Sequence, residues 1–575
     1  MKKLAYLVIA LMLVASFTLV AVGQQSAGAQ GTIHYVDRNV STPGDGSSWG
    51  NAYAYLTEAL NNATSGDEIR VAEGTYYPDD GMPSPDISWH SFNIGDDISV
   101  YGGYPTGGGT RDWESNVTIL SGEIQQNEID HDNSYHVVTV SGDALLDGFT
   151  ITGGFADGGT YPTFVGAGVF IEADTSPDIS NCVITGNQAP GSETDGMGGG
   201  MYIEGGASPT ITDCTFSNNF TYEGGGIYGA ASSPTITNCV FSGNEAIGGT
   251  EEFFGGGGGL FIGGGESTTI TDCTFSNNSA EVFGGGMLAI ESMSTITGCV
   301  FDSNSAGAGA GMFNMDSSVT VSDCVFDGNE ANGISEVPGV GGGLVNVFSS
   351  TVLTNCLFFG NSAKDVGGGV YTEQASTTIT NCTFYGNSVT GTSFENPGGA
   401  VCHYVDDLNQ TQITNCIIDG NTPDQIAYFD EGPEPESMDA LPEAIEPENG
   451  NGLTVTYSDI QGGWDGEGNI DEDPLFANAE GGDFHLTQNS PCIDAGTNDA
   501  PALPEKDFDG NDRVINGTVD MGAYEFGTEP SGPGSLIDGI CYSIYPTIEP
   551  AGAGTIVENP DALAYCREET ITVTA

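Results

Sequence analysis

Basic residues are nearly absent from this 575-residue chain: Lys and Arg together number 9 against 79 Asp and Glu, for a formal net charge of -70. Between Arg111 and Lys506 the only basic side chain, histidine aside, is Lys364. Binding to phosphate backbones or anionic lipid relies on Lys and Arg to neutralise negative groups, so nucleic acid and bare membrane are poor partners. Eliminative cleavage of uronate polymers needs cations on the sugar carboxylate and a base beside them, and the same scarcity argues against it. The acidity itself reads as a solubility device, with attraction of divalent cations as the alternative. After Val22 no run approaches the roughly 18 consecutive apolar residues of a membrane span. With 88 glycines and almost no Lys or Arg, long surface helices are disfavoured and closely packed turns favoured, which points to β structure.

What is present begins with Lys2 and Lys3, an apolar run from Leu4 to Val22, and the small residues Ser26-Ala27-Gly28-Ala29-Gln30. This order reads as a secretory signal peptide over residues 1–29, cleaved after Ala29; a retained membrane helix is the alternative, but nothing basic follows the run. The mature chain is then expected to be soluble and extracellular, secreted or attached to a bacterial cell surface, with no transmembrane segment.

Internal repetition dominates the rest. The motif seen in "SPTITNCVFSGN" and "STTITDCTFSNN" occurs nine times. Its cysteines are Cys182, Cys214, Cys239, Cys273, Cys299, Cys324, Cys356, Cys382 and Cys416; its closing asparagines are Asn187, Asn219, Asn244, Asn278, Asn304, Asn329, Asn361, Asn387 and Asn421. Ile236, Cys239 and Phe241 are three and then two apart, which one period-two strand cannot place on a single face. A bend at Asn238, a residue that tolerates turn conformations, restores the inward direction. Each unit of 25 to 34 residues thus holds short strands joined by tight corners, and cannot bury its apolar side alone. Coils must stack at about 4.8 Å. The expected fold is all-β: a right-handed parallel β-helix, a pectate-lyase-like solenoid.

Glycine clusters such as Gly224 to Gly226 and Gly367 to Gly369 precede the cysteines by a nearly fixed distance. Length varies between the closing Asn and the glycines: they are five or six residues apart after Asn219, Asn278 and Asn361, but eleven or twelve after Asn187, Asn244, Asn329 and Asn387. Insertions are therefore confined to one edge. An open sheet end templates aggregation; Tyr53, Leu56, Ala59, Leu60 and Ala63 recur at helical spacing and predict a short capping helix. The resulting organisation is an N-terminal cap with first coils over 32–145, a repeat array over 146–425, a Pro/Glu-rich mobile segment over 430–450 and C-terminal coils over 451–527. A linker at 528–535 and a small β module at 536–575 follow.

The segments "IHYVDRNVSTPGDGSSWGNAYAYLTEAL", "DEIRVAEGTYYP", "VYGGY" and "LLDGFTITGG" resemble the N-terminal part of bacterial right-handed β-helix surface proteins. The repeats resemble those of polymorphic membrane proteins, with a glycine-rich opening and an F-x-x-N ending. "DEDPLFANAEGGDFHLTQNSPCIDAGT" and "DFDGNDRVINGTVDMGAYEF" are similar to the choice-of-anchor Q domain, and the stretch ending at Ala575 resembles the start of an internalin B-type repeat. These resemblances imply a surface location and adhesive roles, with no catalytic residues to carry over; no transporter barrel follows the repeats here.

The stacked cysteines fall within disulfide reach, but buried Cys more often serves as a small apolar side chain, so both readings stand. Cys541 and Cys566 flank the last module as a candidate disulfide. The asparagines are expected to hydrogen-bond one another and the corner backbone. Candidate binding residues lie on the variable edge: Glu193, Asp195, Glu251, Glu252, Phe253, Phe254, Glu336, Phe394 and Glu395, where exposed aromatics beside acids suit a glycan or a surface protein; the phenylalanines folding back onto the core is the alternative. Asp507, Asp509 and Asn511 of "DFDGNDR" offer alternating oxygens for calcium, although no Glu closes an EF-hand pattern and a plain Asp-Gly turn explains them equally; no other cofactor is implied. Hydrolysis would need two carboxylates, for which Asp406 and Asp407 beside His403 form the nearest cluster. The leading expectation is a non-catalytic surface protein that binds through its loop edge. A glycoside hydrolase is the alternative.

Overall fold

The computed structural model describes residues 31–527, apart from 82–87, 125–131, 192–194, 249–254, 266, 336, 392–396, 406–408 and 431–451, together with two short strands at 541–542 and 565–566. The expected signal segment and the Pro/Glu-rich segment thus lie almost wholly outside the described residues. Four parallel sheets of 14, 13, 8 and 12 strands stack coil upon coil, the 8-stranded one only between Gln188 and Val389. One coil illustrates the circuit. Thr235–Thr237 belongs to a threonine-rich sheet, Val240–Ser242 to a phenylalanine sheet, Glu245–Ala246 to a short sheet, and, after a loop and glycines, Leu260–Gly263 to a post-glycine sheet. Every strand pairs with its equivalent one coil away, Ile236 with Ile211 and Ile270, Phe241 with Phe216 and Phe275. This is the stacked parallel solenoid expected from the repeat.

Each turn of the coil is made by a residue with positive φ: Ala231 (48°), Asn238 (51°), Gly243 (64°) and Gly257 (70°). The bend expected at Asn238 is therefore real, and it is one of four. Asn, Asp and Gly recur at the Asn238 and Gly243 corners because they enter the left-handed region at the least cost, while the first corner also takes Glu291, Phe348 and Gln374. The glycines after the fourth corner answer a second demand. A Cβ on Gly225 would sit 2.3 Å from the carbonyl oxygen of Gly258 in the next coil, a separation no side chain tolerates.

After the fourth corner the Gly258 N–H keeps a backbone acceptor, the Gly284 carbonyl, but the residue after the Asn238 or Gly243 corner points inward and has left the strand ladder, so its N–H needs a new acceptor. The next coil's side chain supplies it. The amide N–H of Asn244 donates to Oδ1 of Asn278 at 3.1 Å, and its Nδ2 donates to the same oxygen at 2.9 Å and to the Phe216 carbonyl at 2.9 Å. The series runs without interruption from Asn187 to Asn421, where Gln425 Oε1 takes the last amide at 2.7 Å. At the preceding corner the N–H of Cys239 donates to Sγ of Cys273 at 3.4 Å, and the Cys239 thiol lies 3.3 Å from the Thr237 carbonyl. The nine repeat cysteines are buried and unbridged; burial pushes the thiols of Cys214, Cys324 and Cys382 well above their ordinary range and keeps them protonated. At the corner equivalent to Ala231 serine plays this part in several coils, with Ser292 N–H bonding Ser317 Oγ and Ser317 N–H bonding Ser349 Oγ, both at 3.1 Å.

Between these polar columns the core is filled by stacked apolar side chains. Rings from Phe216 to Phe384 follow one another at 4.5 to 5.1 Å with planes within 7°. The helix α1, Leu56–Asn62, closes the N-terminal end with Leu56 and Ala59 buried, as its spacing predicted. At the far end Trp464 packs against Tyr428.

The C-terminal region departs from expectation. Leu453–Thr456 and Asp459–Ile460 complete the last coil, but the chain up to residue 527 then folds back along the outside of the phenylalanine sheet instead of adding coils. The outward residues Val325, Leu357 and Phe359 are buried there against Phe484, Phe508 and Tyr524. Corner asparagines serve as posts: Asn381 Nδ2 bonds the carbonyls of Asp520 and Gly522, Asn355 Nδ2 that of Lys506, and Asn415 that of Thr497. Arg513, wholly buried, donates to the carbonyls of Ala523 and Gly522, each at 2.7 Å, and lies 3.6 Å from Glu525. Cys541 and Cys566 face each other across a two-residue antiparallel pair.

Replacing Asn278 by Ala removes the acceptor of two N–H groups and the donor to Phe241, so unfolding in guanidinium should show a loss of at least ~3 kcal/mol, since each stranded buried group costs about 1–3 kcal/mol. Alkylation of the native chain with iodoacetamide should leave all nine repeat cysteines unlabelled, and full labelling should follow denaturation without reductant.

Candidate functional site

The loop edge leads directly into the post-glycine sheet, and the middle residue of each strand there faces outward. In the first half of the array these residues are Phe170, Tyr202, Tyr228 and Phe261, held in register by strand pairing. Their rings stack at 5.8, 5.4 and 4.5 Å with planes within 12°, and His136 stacks on Phe170 at 5.0 Å. Farther along, the same column continues as Leu288, Phe313, Val345, Tyr371 and Cys402, covered by Phe283, Ala308, Val340 and Val366 from the segments before the glycines.

The N-terminal half is more polar. Glu223 occupies the bridge position before Gly224 that later coils fill with Phe283, Val340 or Val366, and burial raises its carboxyl to about 7. Two residues beyond Tyr202, Glu204 accepts the Tyr161 hydroxyl at 2.5 Å and the Ala173 amide at 3.2 Å. Tyr161 is half exposed and lies edge-on to Phe164 and Phe170. In the two preceding coils Trp89, 54% exposed, meets Tyr135 edge-on at 5.6 Å. Successive coils thus offer Trp89, Tyr135 and Tyr161 before the strands that begin at Phe92, Val138 and Val169. Flat rings, a hydroxyl and two glutamate side chains, one buried and one hydrogen-bonded, line a single side of the rod.

Of the residues expected to bind, Asp195 is half buried on this edge; Glu193, Glu251, Glu252, Phe253, Phe254, Glu336, Phe394 and Glu395 lie outside the described residues. The aromatic column itself escaped the sequence because triplets such as Met201-Tyr202-Ile203 are apolar throughout and give no sign of which residue turns outward. His403 is no surface residue: its Nδ1 sits inside the core between the hydroxyls of Thr372 (2.7 Å) and Thr411 (3.1 Å); Asp406 and Asp407 lie outside the described residues.

The calcium reading is corrected in favour of the turn. Asp507 Oδ1 accepts the Asn511 amide at 2.7 Å and its Oδ2 the Glu525 amide at 3.1 Å, while Asp509 pairs with His485 Nε2 at 2.8 Å. These oxygens are spent on N–H donors. Among the described residues no cluster of three or more His, Cys, Asp or Glu is arranged to hold a metal.

A family model described as "Right handed beta helix region" matches residues 106–251, 167–341 and 258–460. The chain belongs to the right-handed β-helix family. Its hand is therefore right, as the resemblance implied. Similar solved structures include a pectate lyase Pel9A, with 14% identity and a TM-score of 0.36 over 86% of this chain and 96% of that one. A second, XylC in complex with xylose, has 11% identity and a TM-score of 0.40 over 86% and 99%. At these scores neither bears on activity. No curated protein matches the sequence.

Burial lowers the pKa of His485, but Asp509 and Asp483 outweigh it and raise the group to about 9. Its contribution to holding the folded-back region is therefore complete below its ordinary value of about 6.5 and fades as pH rises through 9. Glu525, raised to about 8 by burial, acts in the same direction as its charge appears. Intrinsic-rate-corrected amide exchange across 476–526 should accelerate between pH 6.5 and 9, and His485→Gln should flatten that rise.

Proposed function

We propose that this chain is a secreted or cell-surface β-helix protein that binds a glycan or a partner surface through its loop edge, with the aromatic row Trp89, Tyr135 and Tyr161 as its accessible contact. The single observation behind this is that row: solvent-reaching rings one coil apart, beside a hydrogen-bonded Tyr161–Glu204 pair. Aromatic faces take the apolar faces of sugar rings while neighbouring hydroxyls and carboxylates bond their hydroxyl groups. The net charge of -70 favours a neutral or cationic glycan over a polyuronate. The signal-like N-terminus, the polymorphic membrane protein-type repeats and the choice-of-anchor Q-like region support the surface location and an adhesive role.

A second reading, glycoside hydrolysis, is favoured by one observation. Burial raises the Glu223 carboxyl to about 7, and a carboxyl lifted by burial is the kind of general acid that cleavage of a glycosidic bond uses.

Binding of the purified chain to a glycan array separates these readings. Trp89→Ala and Tyr161→Ala should each weaken binding about tenfold, equivalent to ~1.4 kcal/mol. Unchanged binding would remove the row from consideration, and new reducing ends that disappear in Glu223→Gln would make the protein an enzyme.

A further inference from the structure

The outward face of the threonine-rich sheet carries a second regular array. Thr210, Thr235, Thr269, Thr295 and Thr320 are exposed and directly paired from coil to coil. A parallel column two residues along each strand runs from Thr212 to Ser322 in the same register. Coils lie about 4.8 Å apart and residues i and i+2 about 6.6 Å apart, so hydroxyls and methyls repeat in two dimensions on one flat surface. A third column, Ser267, Met293 and Ser318, extends it. The strand faces carry no charged side chain over these coils, although the chain holds 79 acids; Asp213, Asp272, Glu291 and Asp316 sit at the corners that border the array.

Three properties set this face apart from an ordinary strand surface. Threonine is β-branched and stiff at χ1, so the lattice is organised before anything binds and little rotamer freedom is lost on contact. Among the described residues no protein hydrogen bond engages the hydroxyls of the first column, leaving a donor and two acceptors each for water. And the neutral face matches an uncharged occupant on a chain whose net charge is -70. A soluble glycan has no two-dimensional repeat to meet such a lattice, and crystalline polysaccharide presents ring faces that aromatic side chains recognise; the columns contain no aromatic ring. Ordered water fits all three properties.

We propose that the threonine face binds the surface of ice, anchoring a water layer held between hydroxyls and flanking methyls. The face lies on a different sheet from the aromatic row, and the two can be tested independently. The full chain, cooled with a seed crystal, should shape the ice and slow its recrystallisation. Thr235→Tyr with Thr269→Tyr places bulk on exposed strand positions where tyrosine keeps good β propensity; it should abolish both effects while leaving far-ultraviolet dichroism and glycan binding unchanged. Absence of ice shaping by the wild-type chain would overturn the proposal, as would full activity in the double variant. Binding to crystalline cellulose without any effect on ice would overturn it in favour of a polysaccharide lattice.

Discussion

Everything in this rod depends on one requirement: at the corners that precede the repeat cysteines and asparagines a backbone N–H leaves the sheet ladder inside a column closed to water. An unsatisfied buried amide costs a substantial part of a domain's stability, and the corners recur in every coil. The solution is a short polar side chain that reaches back one coil, Asn at one corner, Cys at a second and, in several coils, Ser at a third. Their uniform 25-to-34-residue recurrence follows from this need as much as from hydrophobic packing. It explains why the cysteines stay as thiols, since the sulfur is occupied as an acceptor and its hydrogen points at a carbonyl.

The corners were legible in the sequence because a break in period leaves a spacing that no straight strand allows: Ile236, Cys239 and Phe241 forced a turn at Asn238. The asparagine series was legible for the same reason, as a small polar residue fixed in phase with the core. Two features were hidden. In Val325-Phe326 and Leu357-Phe358-Phe359 every residue is apolar, so nothing distinguished side chains pointing inward from those that receive the folded-back C-terminal region. The same ambiguity concealed the outer aromatic column, where Tyr202 stands between Met201 and Ile203. Pattern reading separates faces only when one of them is polar, and this chain covers parts of both.

Its surface divides accordingly. Charge gathers at corners and in the loops before the glycines, while two regions of another character remain: an aromatic row entering the post-glycine sheet in the first coils, and an uncharged threonine lattice on the sheet that follows, in later coils. One is irregular and adapts from coil to coil; the other is periodic. Rings one coil apart suit a linear molecule lying along the axis, whereas a lattice suits a solid face. The folded-back region covers neither, because it docks on the phenylalanine sheet through Asn355, Asn381 and Asn415.

The head-to-tail asparagine amides carry an evolutionary corollary. Because every internal link joins identical partners, Asn244 to Asn278 in the same way as Asn278 to Asn304, a whole coil can be gained or lost by unequal exchange between near-identical gene segments without disturbing the links on either side. Only the terminal stops, Gln425 and the capping helix, are unique. Descendants of such a gene should therefore differ in rod length by integral coils, and hold their ends constant.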